Sequence, residues 1–365
     1  MNNSLEADDV EDVDPSEEST PFQFDLSFYG ADYPVDGLVK RLGNQDIVVP
    51  SFDPGNDLAD EVEAFQRKFV WTKFQCDRFI ESLLLGLPVP GIFLVQQSNK
   101  RLLVLDGQQR LLTLAAFYGG ILNKREFSLE KVQDQFVGMT YKTLDEQSRR
   151  TLDDSIVHAT VVRKTKNAKD LTSIYSLFER LNSGGTQLSP HEIRVALVPG
   201  PLMHLIRELN ALPAWRALYG PPSKTLKDQE LILRFLAMRF WQNKYKSPMK
   251  EFLTNYAQFN TALDKQSAAT IRETFVQATE LVAAALGKTA FRLGTALNAA
   301  VFDSVMVGIS ERLHLNKRID NAELDKAYMK LLTSGDYGAA VGKATAREDQ
   351  VVARMKIARA AFAGV

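Results

Sequence analysis

The sequence predicts an α+β chain: a mixed α/β domain over residues 37–199, then an all-helical domain over residues 200–365. Three observations carry this reading. Short apolar runs alternate with helix-period segments up to Pro199, and no convincing strand follows it. Residues 1–36 hold eleven acids and no lysine or arginine. That leader reads as an acidic disordered tail, most plainly over residues 1–20, which are acidic and poor in apolar side chains.

Charge is unevenly spread. The whole chain has 44 bases and 45 acids, so removing eleven acids leaves residues 37–365 with 44 against 34, about +10 against −11 for the tail. Two readings of the tail stay open: a solubilising leader, or a segment that occupies the basic body as a mimic of nucleic acid. The 365 residues, 45% hydrophobic and 24% charged, suffice for about two domains. A single cysteine, Cys76, excludes an internal disulfide framework and a cysteine-cluster zinc site. His158, His191, His204 and His314 are scattered and form no HExxH. No apolar run reaches 18 residues and the N-terminus is acidic, so a soluble, cytoplasmic protein without a membrane span is expected.

The elements follow in order. Residues 46–50 (DIVVP) read as a short strand stopped by Pro50. In 74–86, Phe79, Ile80, Leu83, Leu84 and the following Leu87 recur at helical spacing. Gly86 and Pro88 end that helix, and GIFLVQQ (91–97) and RLLVLD (101–106) then form a hairpin across Ser98-Asn99-Lys100. Gly107 breaks the second strand before a helix at 108–118, closed by Gly119-Gly120. A strand is expected at 156–163 and a helix at 170–181, with Asp170 as its N-cap. Beyond Pro199, segments 201–210, 226–243, 248–262, 266–286, 289–313, 321–333 and 344–362 are helical in period.

Three constellations could carry chemistry. Asp106-Gly107-Gln108-Gln109-Arg110 lies between an apolar strand and an apolar helix. A carboxylate at a strand's end suits a divalent cation, and a helix N-terminus with Arg110 in its first turn suits a phosphate. Gly107 would let backbone approach a ligand. The plainer reading, an Asp-Gly turn followed by a solvated first turn, fits the bare pattern equally well. The second constellation runs from Phe178 through Arg180, Asn182, Gly184 and Gly185 to Ser189, Pro190, Glu192 and Arg194. Ser189 and Glu192 read as a capping box with Pro190 at N1, a structural role, whereas glycines between Arg180 and Arg194 could cradle an anion. The third is Phe65-Gln66-Arg67 with Trp71, which on its own reads as a surface arginine beside an aromatic. A basic helix face (Lys224, Lys227, Arg234, Arg239, Lys244, Lys246) reads first as simple solvation. There is no GxxxxGK[ST], since Gly287-Lys288-Thr289 lacks the upstream glycine, and neither GxGxxG nor GxSxG occurs.

Taken together, FQRKFVW (65–71), FIESLLLGLPVPGIFL (79–94), VLDGQQRLLTL (104–114) and FERLNSGG…LSPHEIR (178–194) resemble the N-terminal domain of GmrSD-type modification-dependent restriction endonucleases, a ParB/sulfiredoxin-like fold. The resemblance spans roughly residues 40–200. It implies binding and hydrolysis of a nucleoside triphosphate with Mg²⁺, coupled to recognition or cleavage of foreign, often modified DNA. By position it implies Asp106, Gln109 and Arg110 as catalytic, with Asp106 the metal ligand. Gln66, Arg67, Gly107, Gln108, Arg180, Asn182, Gly184, Gly185 and Arg194 complete the nucleotide-binding set. Two departures stand out. The proline that often precedes Phe-Gln-Arg is absent, Pro50 and Pro54 lying upstream, and residues 200–365 offer no HNH site. The expected partners are therefore DNA and a separate nuclease subunit, with homo-oligomers compatible and no membrane. The leading expectation is a Mg-dependent NTPase of a restriction or phage-defence system. A nucleotide-gated regulator without turnover is the alternative, and a nuclease in its own right ranks last.

Overall fold

In this computed structural model the described residues are 10–11, 26–49, 69, 71–97, 99–163, 173–174, 177, 189–315 and 319–365. They fall into two compact units: Phe22–Gln187, and Met1–Pro21 with Leu188–Val365.

The first unit is built on a mixed five-stranded sheet. Its strands are β2 (Ser27–Pro34), β3 (Ile47–Val48), β4 (Ile92–Gln96), β5 (Leu102–Asp106) and β8 (Ile156–Arg163), in the spatial order β2-β8-β4-β5-β3. The β4–β5 hairpin is antiparallel as its turn sequence predicts, while β8 runs parallel to β4 and β3 parallel to β5. Helix α1 (Val35–Gly43), α2 (Lys73–Leu84), α3 (Gln108–Gly119) and α4 (Glu146–Asp154) lie in the same unit, with a small hairpin of β6 (Ile121–Leu122) and β7 (Arg125–Glu126). The 74–86 helix starts one residue earlier because Thr72 caps it in a capping box with Gln75. It stops at Leu84, which leaves Leu87 outside the helix and exposed. The core joins Ile80, Leu94, Leu111, Phe117 and Val161.

The tail boundary at residue 36 is corrected here. Ser27–Pro34 pairs along its whole length with β8, from Ser27 opposite Arg163 to Pro34 opposite Ile156. Tyr29, Ala31 and Tyr33 pack on the core, while Phe28, Asp32 and Pro34 lie on the other, more exposed side. The averaged acidity of the leader hides this period-two pattern, because an edge strand tolerates acids on its solvent face. Farther upstream, β1 (Val10–Glu11) pairs in parallel with β9 (Leu297–Asn298) of the second unit, so the tail is not uniformly without structure. In the expected 170–181 helix the described positions Ser173, Ile174 and Leu177 are helical, and the remainder lies outside the described residues.

The second unit is helical: α5 (Pro190–Leu197), α6 (Pro201–Asn210), α7 (Pro213–Tyr219), α8 (Lys227–Trp241), α9 (Met249–Phe259), α10 (Ala268–Ala285), α11 (Ala299–His314), α12 (Asn321–Leu332), α13 (Gly335–Gly342) and α14 (Glu348–Phe362). The division falls before Leu188 rather than after Pro199, because α5 is anchored into these helices through Arg194. The short α7 and α13 escape the periodicity reading, the second being rich in glycine. The expected 289–313 helix begins only at Ala299. Asn298 caps it by accepting from the amides of Ala300 and Val301, both at 3.0 Å. Gly287–Thr289 is a single 3₁₀ turn, the helix joint that its sequence suggests. Trp215 anchors the core against Phe275 and Phe302, its indole donating to Asn210 Oδ1 at 2.9 Å.

Candidate functional site

The DGQQR residues are assembled by an irregularity in the hairpin. Phe93 faces Asp106 but Leu94 faces Val104, so Leu105 is an extra residue in β5. Such a bulge re-aims the side chain that follows it. Asp106 thus emerges 36% exposed at the strand's end, after four buried leucine and valine positions.

Gly107 turns the chain into α3 at φ +94°, a conformation that disfavours any side chain. A Cβ there would stand 2.4 Å from Ile92 Cγ2. The structural requirement for glycine comes from β4 packing under the turn, where the sequence suggested room for a ligand. No side chain caps α3. An uncapped helix start of this kind keeps its positive dipole end available to an anion.

Arg110 is the first-turn cation, and its guanidinium is engaged by protein. Nη2 donates to Asp106 Oδ2 at 2.7 Å, and Nη1 donates to the carbonyls of Pro90 and Gly91, each at 2.7 Å. It clamps the start of β4 to the end of β5 and orients the Asp106 carboxylate. Gln109 reaches back along the chain: its Oε1 accepts from the Trp71 amide at 3.2 Å. The Trp71 ring sits edge-on to Phe79 at 5.6 Å. The end of the first motif is therefore tied to the start of the second. Gln108 is half-buried at the helix start.

Of the remaining expected residues, Gln66, Arg67, Arg180, Asn182, Gly184 and Gly185 lie outside the described residues. Arg194 is described, and its assignment to the nucleotide site is corrected. It is 1% exposed, with Nη1 on Glu230 Oε2 at 2.8 Å, Nε on Thr254 Oγ1 at 3.1 Å and Nη2 on the Lys250 carbonyl at 3.2 Å. A guanidinium so enclosed organises helices and does not face a ligand. The Ser189–Glu192 capping box forms as the sequence reads, with Pro190 at N1. His191 beside it is fully buried, with neither ring nitrogen partnered among the described residues. Burial, and secondarily the Arg194 charge, holds its imidazole well below the usual histidine range.

Sequence reasoning missed the pair of Asp32 and His158, opposite one another on β2 and β8, with Oδ1 and Nδ1 2.5 Å apart. Alternation along β8 could have placed His158 on the exposed side, but assigning Asp32 to a tail hid its partner. Among the described residues no three His, Cys, Asp or Glu side chains gather into a metal-binding group. Nor is any described helix long and apolar enough to cross a membrane.

No curated protein matches the chain. Residues 52–199 match the family model described as GmrSD restriction endonuclease, N-terminal domain. The span takes in β4, β5 and α3 together with every residue of the DGQQR joint. This stretch of the chain is a domain of the GmrSD restriction endonuclease N-terminal family.

Proposed function

We propose that this chain is the nucleotide-binding and hydrolysing component of a DNA restriction or phage-defence system, its first unit a ParB/sulfiredoxin-like domain. Membership of the GmrSD N-terminal family supports the defence setting and an interaction with DNA. The observation that carries the nucleotide reading is the β5–α3 joint: a partly exposed carboxylate beside an uncapped helix start. A triphosphate would lie against the first turn of α3, where amides and helix dipole favour negative charge. Asp106 would act next to it and Arg110 would hold Asp106 in place. Gln109, braced by Trp71, would fix the first turn.

Mg²⁺ fits this site only in the manner of nucleotide enzymes, in which one carboxylate and the substrate's own phosphates share the ion. Asp106 is the residue that would hold it. There it would neutralise developing charge on the phosphates. In this reading the cutting of DNA falls to another domain or subunit, since residues 200–365 carry no HNH pattern in the sequence.

One observation favours the nucleotide-gated alternative. Arg110 already spends its donors on Asp106, Pro90 and Gly91. A phosphate that took these donors from Arg110 would loosen the clamp between β4 and β5, which is a switch as much as a catalytic step. Phosphate release from the four ribonucleoside triphosphates with Mg²⁺, with and without DNA, separates the readings. Release abolished by Asp106→Ala in folded protein is the expected result. Binding without release would make the domain a nucleotide-gated regulator, and no binding of any triphosphate would end the nucleotide reading.

A further inference from the structure

The helical unit carries a cavity of about 530 Å³ between the end of α8, the 3₁₀ turn Gln242–Lys244 and helix α14. Its volume is in the range of pockets that hold small ligands. Arg239, Phe240, Gln242, Asn243, Glu348 and Arg359 are among the residues that line it.

The charges on this wall are unequally satisfied. Arg359 is paired: Nε and Nη2 meet the Glu311 carboxylate at 2.6 and 2.8 Å, and Nη2 also reaches Gln242 Oε1 at 2.6 Å. Glu348 faces Lys246 at 3.3 Å. Arg239 differs. It makes no ion pair among the described residues, and its Nε is buried without a hydrogen-bond partner. Its guanidinium lies 5.4 Å from the ring centre of Phe240. Elsewhere in this unit Arg194, Arg216, Arg234 and Arg354 each meet a carboxylate. A buried guanidinium nitrogen without an acceptor is costly to keep unless a ligand supplies one.

We propose that this cavity binds a nucleotide through its phosphate, with Arg239 as the phosphate contact, Phe240 offering a face to the base, and the Gln242 and Asn243 amides its polar edges. Guanidinium groups pair with phosphate in a fork of parallel hydrogen bonds, and aromatic rings accept bases of any sequence. Lys244, exposed and next in the chain to the lining residues Asn243 and Tyr245, favours an anion. The site is separate from the triphosphate site proposed above and does not depend on it. Its nucleotide comes either from solution or from a DNA strand.

The test titrates the full chain with three probes: inorganic phosphate, a deoxynucleoside monophosphate and a short single-stranded oligodeoxynucleotide, each over a range of salt. Arg239→Gln is expected to weaken oligonucleotide binding about tenfold, as loss of one charged hydrogen-bonded contact would. The slope against log salt should become shallower by about one phosphate contact. The same loss with the monophosphate but not the oligonucleotide would identify free nucleotide as the ligand. Asn243→Asp alters an exposed residue and adds a carboxylate to the wall, so it should weaken the same probe while the fold is kept. Equal binding by wild type and both variants, for all three probes, would overturn the site. A chain that hydrolyses no triphosphate yet binds an oligonucleotide through Arg239 would keep this inference and lose the earlier one.

Discussion

The molecule holds an aspartate with arginine in two very different settings. At the end of β5, Asp106 meets Arg110, the two side chains being 36% and 13% exposed. In α11, Asp303 meets both Arg234 and Arg354, and none of these three side chains is more than 2% exposed. Water can replace either partner at the first pair, and salt screens it, so the ion pair itself contributes only about 0–1 kcal/mol. In the second, no water takes the place of a lost partner. Arg234 Nε spans both oxygens of Asp303 at 2.9 and 2.7 Å, and Arg354 Nη2 adds a third bond at 3.1 Å. Identical residue types therefore serve an exchangeable contact in one unit and a fixed one in the other, and burial decides which.

The largest effect should come from the buried triad. Asp303→Ala removes the acceptor shared by two arginines and strands both charges inside the helical unit. Breaking a buried pair in this way costs about 3–5 kcal/mol, a large part of a domain's usual stability. Urea unfolding should show the loss as a lowered midpoint with an unchanged slope. A cost below about 1 kcal/mol would mean that the triad is hydrated, and the contrast with Asp106 would collapse.

A smaller loss is expected at Gly107. In Gly107→Ala the left-handed backbone costs about 1–2 kcal/mol. The methyl set against Ile92 adds roughly 1–3 kcal/mol of overpacking. A double-mutant cycle sharpens this: an Ile92→Ala background removes the Cγ2 at 2.4 Å and keeps the Cβ at 3.0 Å, so the same substitution should lose most of its overpacking cost there. Equal costs in both backgrounds would mean that β4 does not press on the turn, and that glycine is required there by something else.

Much of this was legible in the sequence, for reasons that differ by element. Helix α3 and strands β4, β5 and β8 were readable because apolar period and punctuating glycines agree locally. The bulge at Leu105 was not, since register belongs to two strands at once and only the pairing reveals which residue is extra. Arg110 was correctly singled out, but its carbonyl partners at Pro90 and Gly91 lie about twenty positions away and leave no local trace. Arg194 misled for the opposite reason. A cation next to a glycine-rich loop looks like an anion ligand, and its acceptors, Glu230, Thr254 and the Lys250 carbonyl, come from distant helices. Strand β2 was lost to averaging, because its acids were counted with the tail while its tyrosines alternated onto the core.

The smallest effect on stability is expected at the candidate site, and its asymmetry is informative. Asp106→Asn removes one ion pair from a partly exposed carboxylate, so unfolding should shift by no more than about 1 kcal/mol. Arg110→Ala does more: it also removes the donor to the Pro90 and Gly91 carbonyls, adding roughly 1 kcal/mol or more for acceptors left without that partner. If Asp106 carries the chemistry and Arg110 positions it, phosphate release should vanish in the variant that barely changes stability. In Arg110→Lys, a cation without the planar fork, release should fall while some of the stability returns. The reverse ranking, with Asp106→Asn active and Arg110→Lys unable to bind triphosphate, would make Arg110 the phosphate ligand. The clamp seen in this structure would then be the state that nucleotide opens.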